Sequence, residues 1–298
     1  MQNRIQSFKN KKDIKIYGLR YDTIFKNMFQ KKEYLKQFFK DVFQENLEDF
    51  WYIDKELSKE NKNLRYRISD LVIKTEKRII IVELQNKNLE NIEPRSKMYI
   101  SGFYMRQNPG KFYEHVKPVE LYLILNYPYQ SPEVLKEYEE INRNRDEQFG
   151  NLSKIKIWNI YEALKKRNGI DYDYARIFNL DRLGKKVVTK TLLELEEKKT
   201  FQSFIKNIKC YNMDYKIYQK LKEEESMEMS FEQATSMIKY HAEQRGEKRG
   251  KKEGIMVGKL ETAFSMLKKG IDLPFIKEIT GLTDSQIKEY AMKNENLK

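Results

Sequence analysis

Apolar residues recur mostly at spacings of three and four from Ile24 through Phe25, Phe29, Leu35, Phe38 and Phe39 to Phe43. This predicts an amphipathic helix over 22–43, with Asp22 as its N-cap or first-turn acid. The period then changes. Tyr66, Ile68, Leu71, Val72 and Ile73 predict a strand, Lys74 to Lys77 a polar turn, and Arg78 to Gln85 a second strand. In that second strand Ile79 to Val82 are consecutive rather than alternating, the mark of a strand covered on both faces. A polar stretch over 86–91 leads into a helical run over 93–107, stopped by Asn108-Pro109-Gly110. Val119 to Tyr127 reads as another buried strand, ended by Pro128. From Leu135 the pattern turns helical in shorter pieces, with one further strand over 153–160, and 187–240 reads as charged helices without Pro. A helix, a run of strands, a helix and a further strand predict an α/β domain with a small mixed sheet.

The tail differs. Gly246, Gly250, Gly254 and Gly258 fall every four residues, on one slowly drifting stripe if helical, and each costs roughly 1 kcal/mol against Ala. Charges between them exclude a membrane interface of small residues. The stripe serves either close helix–helix approach or a marginal connector; a connector or oligomerisation helix is the expectation. Beyond it, Pro274 suits a first helical turn, Gly281 a helix end, and Thr283 with Gln286 a capping box. Two short helices around a glycine turn are helix-turn-helix-like in shape. The second starts acidic and is poorly suited to reading bases. The expected division is a domain over 1–180, a helical region with the glycine connector over 181–260, and a small tail over 261–298.

Composition narrows the function classes. The 298 residues carry 58 Lys and Arg against 45 Asp and Glu, a formal net charge of +13, which suits a polyanionic partner, nucleic acid first, or simply a solubilising Lys-rich surface. One Cys and two His exclude a disulfide framework and a multi-histidine zinc centre. No apolar run is long enough to span a membrane, and Met1 to Lys9 lacks the apolar core of a signal peptide, so the cytoplasm is the expected compartment.

The chemistry centres on Glu83, a carboxylate in a strand expected to be buried, costly there unless paired or on a metal. Gln85 shares its face, and Lys87 would do so if the strand continues. Asp70 lies on the preceding strand, and a hairpin of this length can bring both carboxylates to one sheet end. Two carboxylates with open positions suit Mg²⁺, which activates water and stabilises charge on a phosphodiester. The plainer reading has Glu83 capping a strand end beside Arg95 or Lys87. Arg95, Tyr99 and Arg106 on the next helix are candidates for DNA-backbone contact, although Tyr99 and Phe103 equally suit packing on the sheet. His115 is a candidate proton carrier, but a lone His more commonly serves structure.

One ordered set of segments is more specific than any of these motifs. Tyr21 to Phe29, Ser69-Asp-Leu-Val-Ile73, Ile81-Val-Glu-Leu-Gln-Asn86, Arg95 with Tyr99, and Lys117 to Tyr127 resemble the PD-(D/E)XK nuclease family of transposases, the recombination-promoting nuclease group often labelled Rpn. The likeness covers about 17–130 well and the later helices more loosely. It implies an α/β restriction-endonuclease-like core, a small mixed sheet flanked by helices, followed by an all-helical C-terminal region. It also implies a DNA endonuclease dependent on Mg²⁺ or another divalent cation, linked to recombination or transposition. By position, Asp70 and Glu83 hold the metal, Gln85 stands where the broader pattern has Lys, and Asp22 contributes indirectly. Gln hydrogen-bonds but brings no charge, so Lys87 or Lys26 is expected to supply it. The catalytic set is then Asp70, Glu83, Gln85, Lys87 and Asp22, with Lys26, Arg95, Tyr99 and Arg106 on DNA. Two other readings stand beside it: a catalytically weak or inactive DNA-binding or assembly protein, and a nuclease effector in phage defence. Double-strand cutting by one site per chain suggests a homodimer, through the C-terminal helices.

Overall fold

The computed structural model describes residues 15–53, 69–88, 91–108, 113, 115–139, 141–142, 147–148 and 152–295. The expected strand start at Tyr66 and Ile68, the stop at Pro109-Gly110 and the N-terminal residues Met1 to Lys9 lie outside these. Two compact units divide the chain, Met1–Glu224 and Glu225–Lys298.

The first unit opens with two helices where one is predicted, α1 (Asp22–Phe29) and α2 (Lys32–Val42). Lys31 is extended, and the Lys31 N–H turns back to the Met28 carbonyl at 3.2 Å. The break keeps both apolar stripes on one core: Ile24, Phe25, Met28 and Phe29 from α1, Leu35, Phe38, Phe39 and Val42 from α2. Strands β1 (Phe50–Tyr52), β2 (Leu71–Thr75) and β3 (Ile79–Gln85) follow, then α3 (Ile92–Met105) and β4 (Val119–Leu125). Next come β5 (Leu135–Glu139), the short pair β6 (Ile141–Asn142) and β7 (Glu147–Gln148), and β8 (Ser153–Asn159).

The six-stranded sheet runs β1-β2-β3-β4-β8-β5, parallel at β3–β4 and β4–β8 and antiparallel elsewhere. The helical pattern expected from Leu135 is corrected here. Leu-Lys-Glu-Tyr-Glu pairs as an edge strand along β8, and strand pairing overrides a short, ambivalent local pattern. Helices α4 (Ile160–Lys166), α5 (Gly169–Phe178), α6 (Lys185–Glu197) and α7 (Lys199–Met213) follow, and the unit ends at Glu224 within the next helix.

Period-two alternation splits the core into two layers. Leu71, Ile73, Ile80, Val82, Tyr122, Ile124 and Trp158 face α1, α2, α5 and α7. Val72, Ile79, Ile81, Leu121, Leu123 and Leu125 face Tyr99, Ile100 and Phe103 of α3. Leu192 and Leu195 of α6 and Phe201, Phe204 and Ile205 of α7 share the first layer, so that core continues past residue 180.

Helix α8 (Tyr215–Lys268) runs 54 residues and includes all four spaced glycines. A methyl group added at any of the four would meet nothing within 4 Å, so the close-approach reading of the stripe finds no partner within the described residues. In the second unit Asp272 caps α9 (Leu273–Thr280), Gly281 is left-handed at φ 66°, and Thr283 and Gln286 cap α10 (Asp284–Glu295) reciprocally. Among the described residues no helix is long and apolar enough to cross a membrane.

Phe38 is fully buried and touches the rings of Phe29, Phe39, Phe43, Trp158, Tyr174 and Phe178. Phe38→Ala empties the centre of this layer and lowers stability by about 3–5 kcal/mol. The check is a drop in the urea midpoint with the slope unchanged.

Candidate active site

The antiparallel register of β2 and β3 pairs Leu71 with Val82 and Val72 with Ile81. One step further places Asp70 opposite Glu83, and directly opposed residues share a face. The backbone N–H of Asp70 donates to Glu83 Oε2 at 3.1 Å, and Leu84 N–H donates to Asp70 Oδ2 at 2.7 Å. Each carboxylate is thus clamped by the other strand's backbone.

Glu83 points into the layer under α3 and is 2% exposed. Its Oε1 accepts from Tyr99 OH at 2.7 Å, Gln85 Nε2 at 2.8 Å and Arg95 Nη2 at 2.9 Å. Arg95 Nη1 also donates to Gln85 Oε1 at 2.9 Å, and Nη2 to Tyr99 OH at 3.0 Å. Arg95 and Tyr99 lie four residues apart on one face of α3, which is how one helix delivers both. Burial pushes the Glu83 carboxyl above its ordinary value, against the opposing pull of Tyr99 and Arg95. Burial and then the charge of Glu83 push Asp70 up as well.

Asp22 arrives from α1 and pairs with Lys26 one turn on. Both act on Asp70, Asp22 raising its pKa and Lys26 lowering it. The N-cap residue of α1, Tyr21, makes no side-chain cap. Glu224, from the first part of α8, caps it instead: its Oε1 accepts from Thr23 N–H at 3.1 Å and from the Thr23 hydroxyl. Sequence reasoning missed Glu224. It stands in a run of three Glu 201 residues from Thr23, and no local pattern singles it out.

The segment leading into α1 is fixed by a close approach. Leu19 N–H and Arg20 N–H donate to the carbonyls of Ile177 and Phe178 at 3.2 and 3.1 Å. A Cβ at Gly18 would run into those same two oxygens. Asn86, the residue after Gln85, donates to the Arg20 carbonyl at 2.8 Å.

The structure brings Asp22, Lys26, Asp70, Glu83, Gln85, Arg95 and Tyr99 together. β3 ends at Gln85, so the strand continuation on which Lys87 sharing the Glu83 face depended is not present. Tyr99 is 3% exposed and turned inward on Glu83, with Phe103 packed beside it in the sheet layer. Arg95 is likewise directed at Glu83 and Gln85. Arg106 and His115 stand elsewhere, lining a cleft beside Ile79 at the far end of β3. Among the described residues no three His, Cys, Asp or Glu side chains form a cage for a metal ion. Asp70 and Glu83 supply hard oxygen donors only, which suits a cation that keeps several of its waters, as Mg²⁺ does.

The family model of the PD-(D/E)XK nuclease family transposases matches residues 19–251. No curated protein and no solved structure matches the chain.

Arg95 is the cation that offsets Glu83. Arg95→Ala leaves a buried carboxylate without its ion pair and lowers stability by about 3 kcal/mol. In Arg95→Ala/Glu83→Gln most of that loss returns. Thermal melts of the two single variants and the double variant measure the coupling.

Proposed function

The chain belongs to the PD-(D/E)XK nuclease family of transposases, and on that premise we propose that it is a Mg²⁺-dependent DNA endonuclease acting in recombination or transposition. The observation carrying this reading is the buried Glu83 opposite Asp70, with clamped carboxylates and oxygen donors only. Such a pair in low dielectric is stabilised by a cation. Asp70 and Glu83 would hold it. When bound, the cation supplies Lewis acidity, lowering the pKa of an attacking water and offsetting charge on the phosphodiester.

The chain's own groups divide the remaining work. Arg95 and Tyr99 hold the Glu83 carboxylate in one orientation. Gln85 bridges Glu83 and Arg95 with the two ends of its amide, so it positions rather than supplies charge. Lys26 takes the charge-supplying part: its field already acts on Asp70, whereas Lys87 lies past the end of β3. Asp22 holds the Lys26 ammonium in place. The DNA is expected to meet a protein of net charge +13, so affinity falls steeply with salt. Cutting both strands with one site per chain needs two chains. We place their contact in the C-terminal helices, where α8 exposes Met227, Phe231 and Ile238 at spacings of four and seven. The cytoplasm is the proposed compartment.

Purified full-length protein nicks supercoiled plasmid in Mg²⁺, and both EDTA and Glu83→Ala reduce nicking to background. Lys26→Gln lowers the rate on the order of a hundredfold, more than Lys87→Gln does. Cleavage that survives Glu83→Ala or needs no metal refutes the mechanism. An uncut plasmid bound by wild-type protein favours the binding-only reading.

A further inference from the structure

The end of β3 away from Glu83 has chemistry of the opposite sign. A cleft of about 440 Å³ opens there, lined by Lys74, Ile79, Phe103, Arg106, His115 and Lys117 among others, and none of its described lining residues is a carboxylate. Ile79 and Glu83 lie on the same face of β3, four residues apart, which is about 13 Å along a strand. Helix α3 spans the same interval, carrying Arg95 and Tyr99 to the acidic site and Phe103 to the cleft, with Arg106 at its C-terminal cap. The cleft is therefore a separate place from the carboxylate pair.

Its rim is built rather than incidental. Lys117 is clamped through its backbone by Gln107, its N–H donating to Oε1 at 2.8 Å and its carbonyl accepting from Nε2 at 2.9 Å. Lys117 Nζ donates to the Thr75 carbonyl at 3.0 Å, holding the ammonium at the end of β2. The Arg106 guanidinium lies 5.3 Å from the Phe103 ring centroid. Lys74 pairs across strands with Trp51, so both project from one face, and Trp51 is 44% exposed on the edge strand β1. Trp51 stands on the adjoining edge strand rather than among the residues lining the cleft, and cations over an apolar floor next to an exposed indole are the combination that takes a phosphate ester carrying a planar base.

We propose that this cleft binds a nucleotide, with Lys74, Arg106 and Lys117 on the phosphate and Trp51 stacking on the base. The same chemistry comes from a free nucleotide or from one nucleotide of a strand. The inference does not rest on cleavage at Glu83, because binding here needs neither the carboxylates nor a divalent cation.

The chain has two Trp, and Trp158 is fully buried, so quenchable indole fluorescence reports Trp51. The full-length protein in EDTA is titrated with thymidine 5′-phosphate, with unphosphorylated thymidine, and with an oligothymidylate of about 12 nucleotides, within the usual single-strand site size. A phosphate-bearing probe is expected to quench, thymidine at the same concentration is not, and Trp51→Phe is silent. Lys74→Gln/Arg106→Gln weakens binding roughly tenfold or more. Quenching by the mononucleotide assigns the cleft to a free nucleotide, and quenching by the oligonucleotide alone assigns it to a strand; both support the proposal. It is overturned if neither phosphate probe quenches, if thymidine quenches equally, or if the double variant binds as tightly as the wild type. Should the double variant melt early, Lys74→Gln alone decides by the same criterion.

Discussion

The structure around the candidate site depends on satisfying one carboxyl group inside a strand covered on both faces. Leaving Glu83 there unpaired would cost several kcal/mol. The cost is met by donors from three elements: the Asp70 N–H of the segment entering β2, Gln85 of β3 itself, and Arg95 with Tyr99 of α3. Each donor in turn fixes something larger. The Asp70 contact sets the β2–β3 register, and a slip of one residue would carry Glu83 to the aromatic layer on the other face. Arg95 and Tyr99 set the rotation of α3, whose next apolar turn then delivers Ile100 and Phe103 to Ile79 and Ile81. Packing and electrostatics thus select the same arrangement, which makes a buried charge tolerable.

A second set of contacts brings Asp22 and Lys26 to that carboxylate pair. The C-terminal ends of parallel strands are where an open α/β sheet leaves backbone groups to be satisfied, and here the Asn126 backbone does so and a chain of Asn side chains carries the bonding onward. Asn126 N–H donates to the Gln85 carbonyl at 2.8 Å and its side chain to Asn86 Oδ1 at 3.0 Å. Asn126 and Asn179 exchange amide hydrogen bonds at 3.0 and 3.1 Å. Asn86 then holds the Arg20 carbonyl, and the Arg20 guanidinium pairs with the buried Asp181 at 2.7 Å. The entry to α1 is therefore tied to β3, β4 and the end of α5 at once. Glu224 adds a cap on the first turn of α1. Burial raises the Glu224 carboxyl, and the Thr23 hydroxyl and backbone N–H oppose it only in part; their hydrogen bonds tie the first turn of α1 to the first part of α8.

What was legible in the sequence follows the range of the interactions. Asp70, Glu83, Gln85, Arg95 and Tyr99 span thirty residues of strand, turn, strand and helix, and their periods of two and four encode which face each occupies. Asp22 and Lys26 are legible as an i,i+4 pair, but their distance from Asp70 is not, because it is set by Gly18 and by carbonyls of α5 far along the chain. Glu224 is illegible for the same reason. The strand at Leu135–Glu139 reads as helix in the sequence because its five residues carry no two-period; pairing with the neighbouring β8 makes it a strand. The break between α1 and α2 has no Gly or Pro to announce it. It exists so that Phe29 and Phe38 meet, with ring centroids 4.9 Å apart.

The amide at position 85 is best understood from its neighbour on α3. A Lys here would set an ammonium against the Arg95 guanidinium inside a buried site, two cations competing for Glu83 Oε1 at a few ångströms. Gln85 has both a donor and an acceptor, and it uses both, giving Nε2 to Glu83 and taking Nη1 of Arg95. With Arg95 delivered by α3, the cation that neutralises Glu83 comes from the helix rather than from the strand. The strand position is then free only for a side chain that can bridge acid and base, and an amide does that where neither an ammonium nor a carboxylate can. Gln85 and Arg95 are in this sense one device, and the identity of either residue is intelligible only with the other.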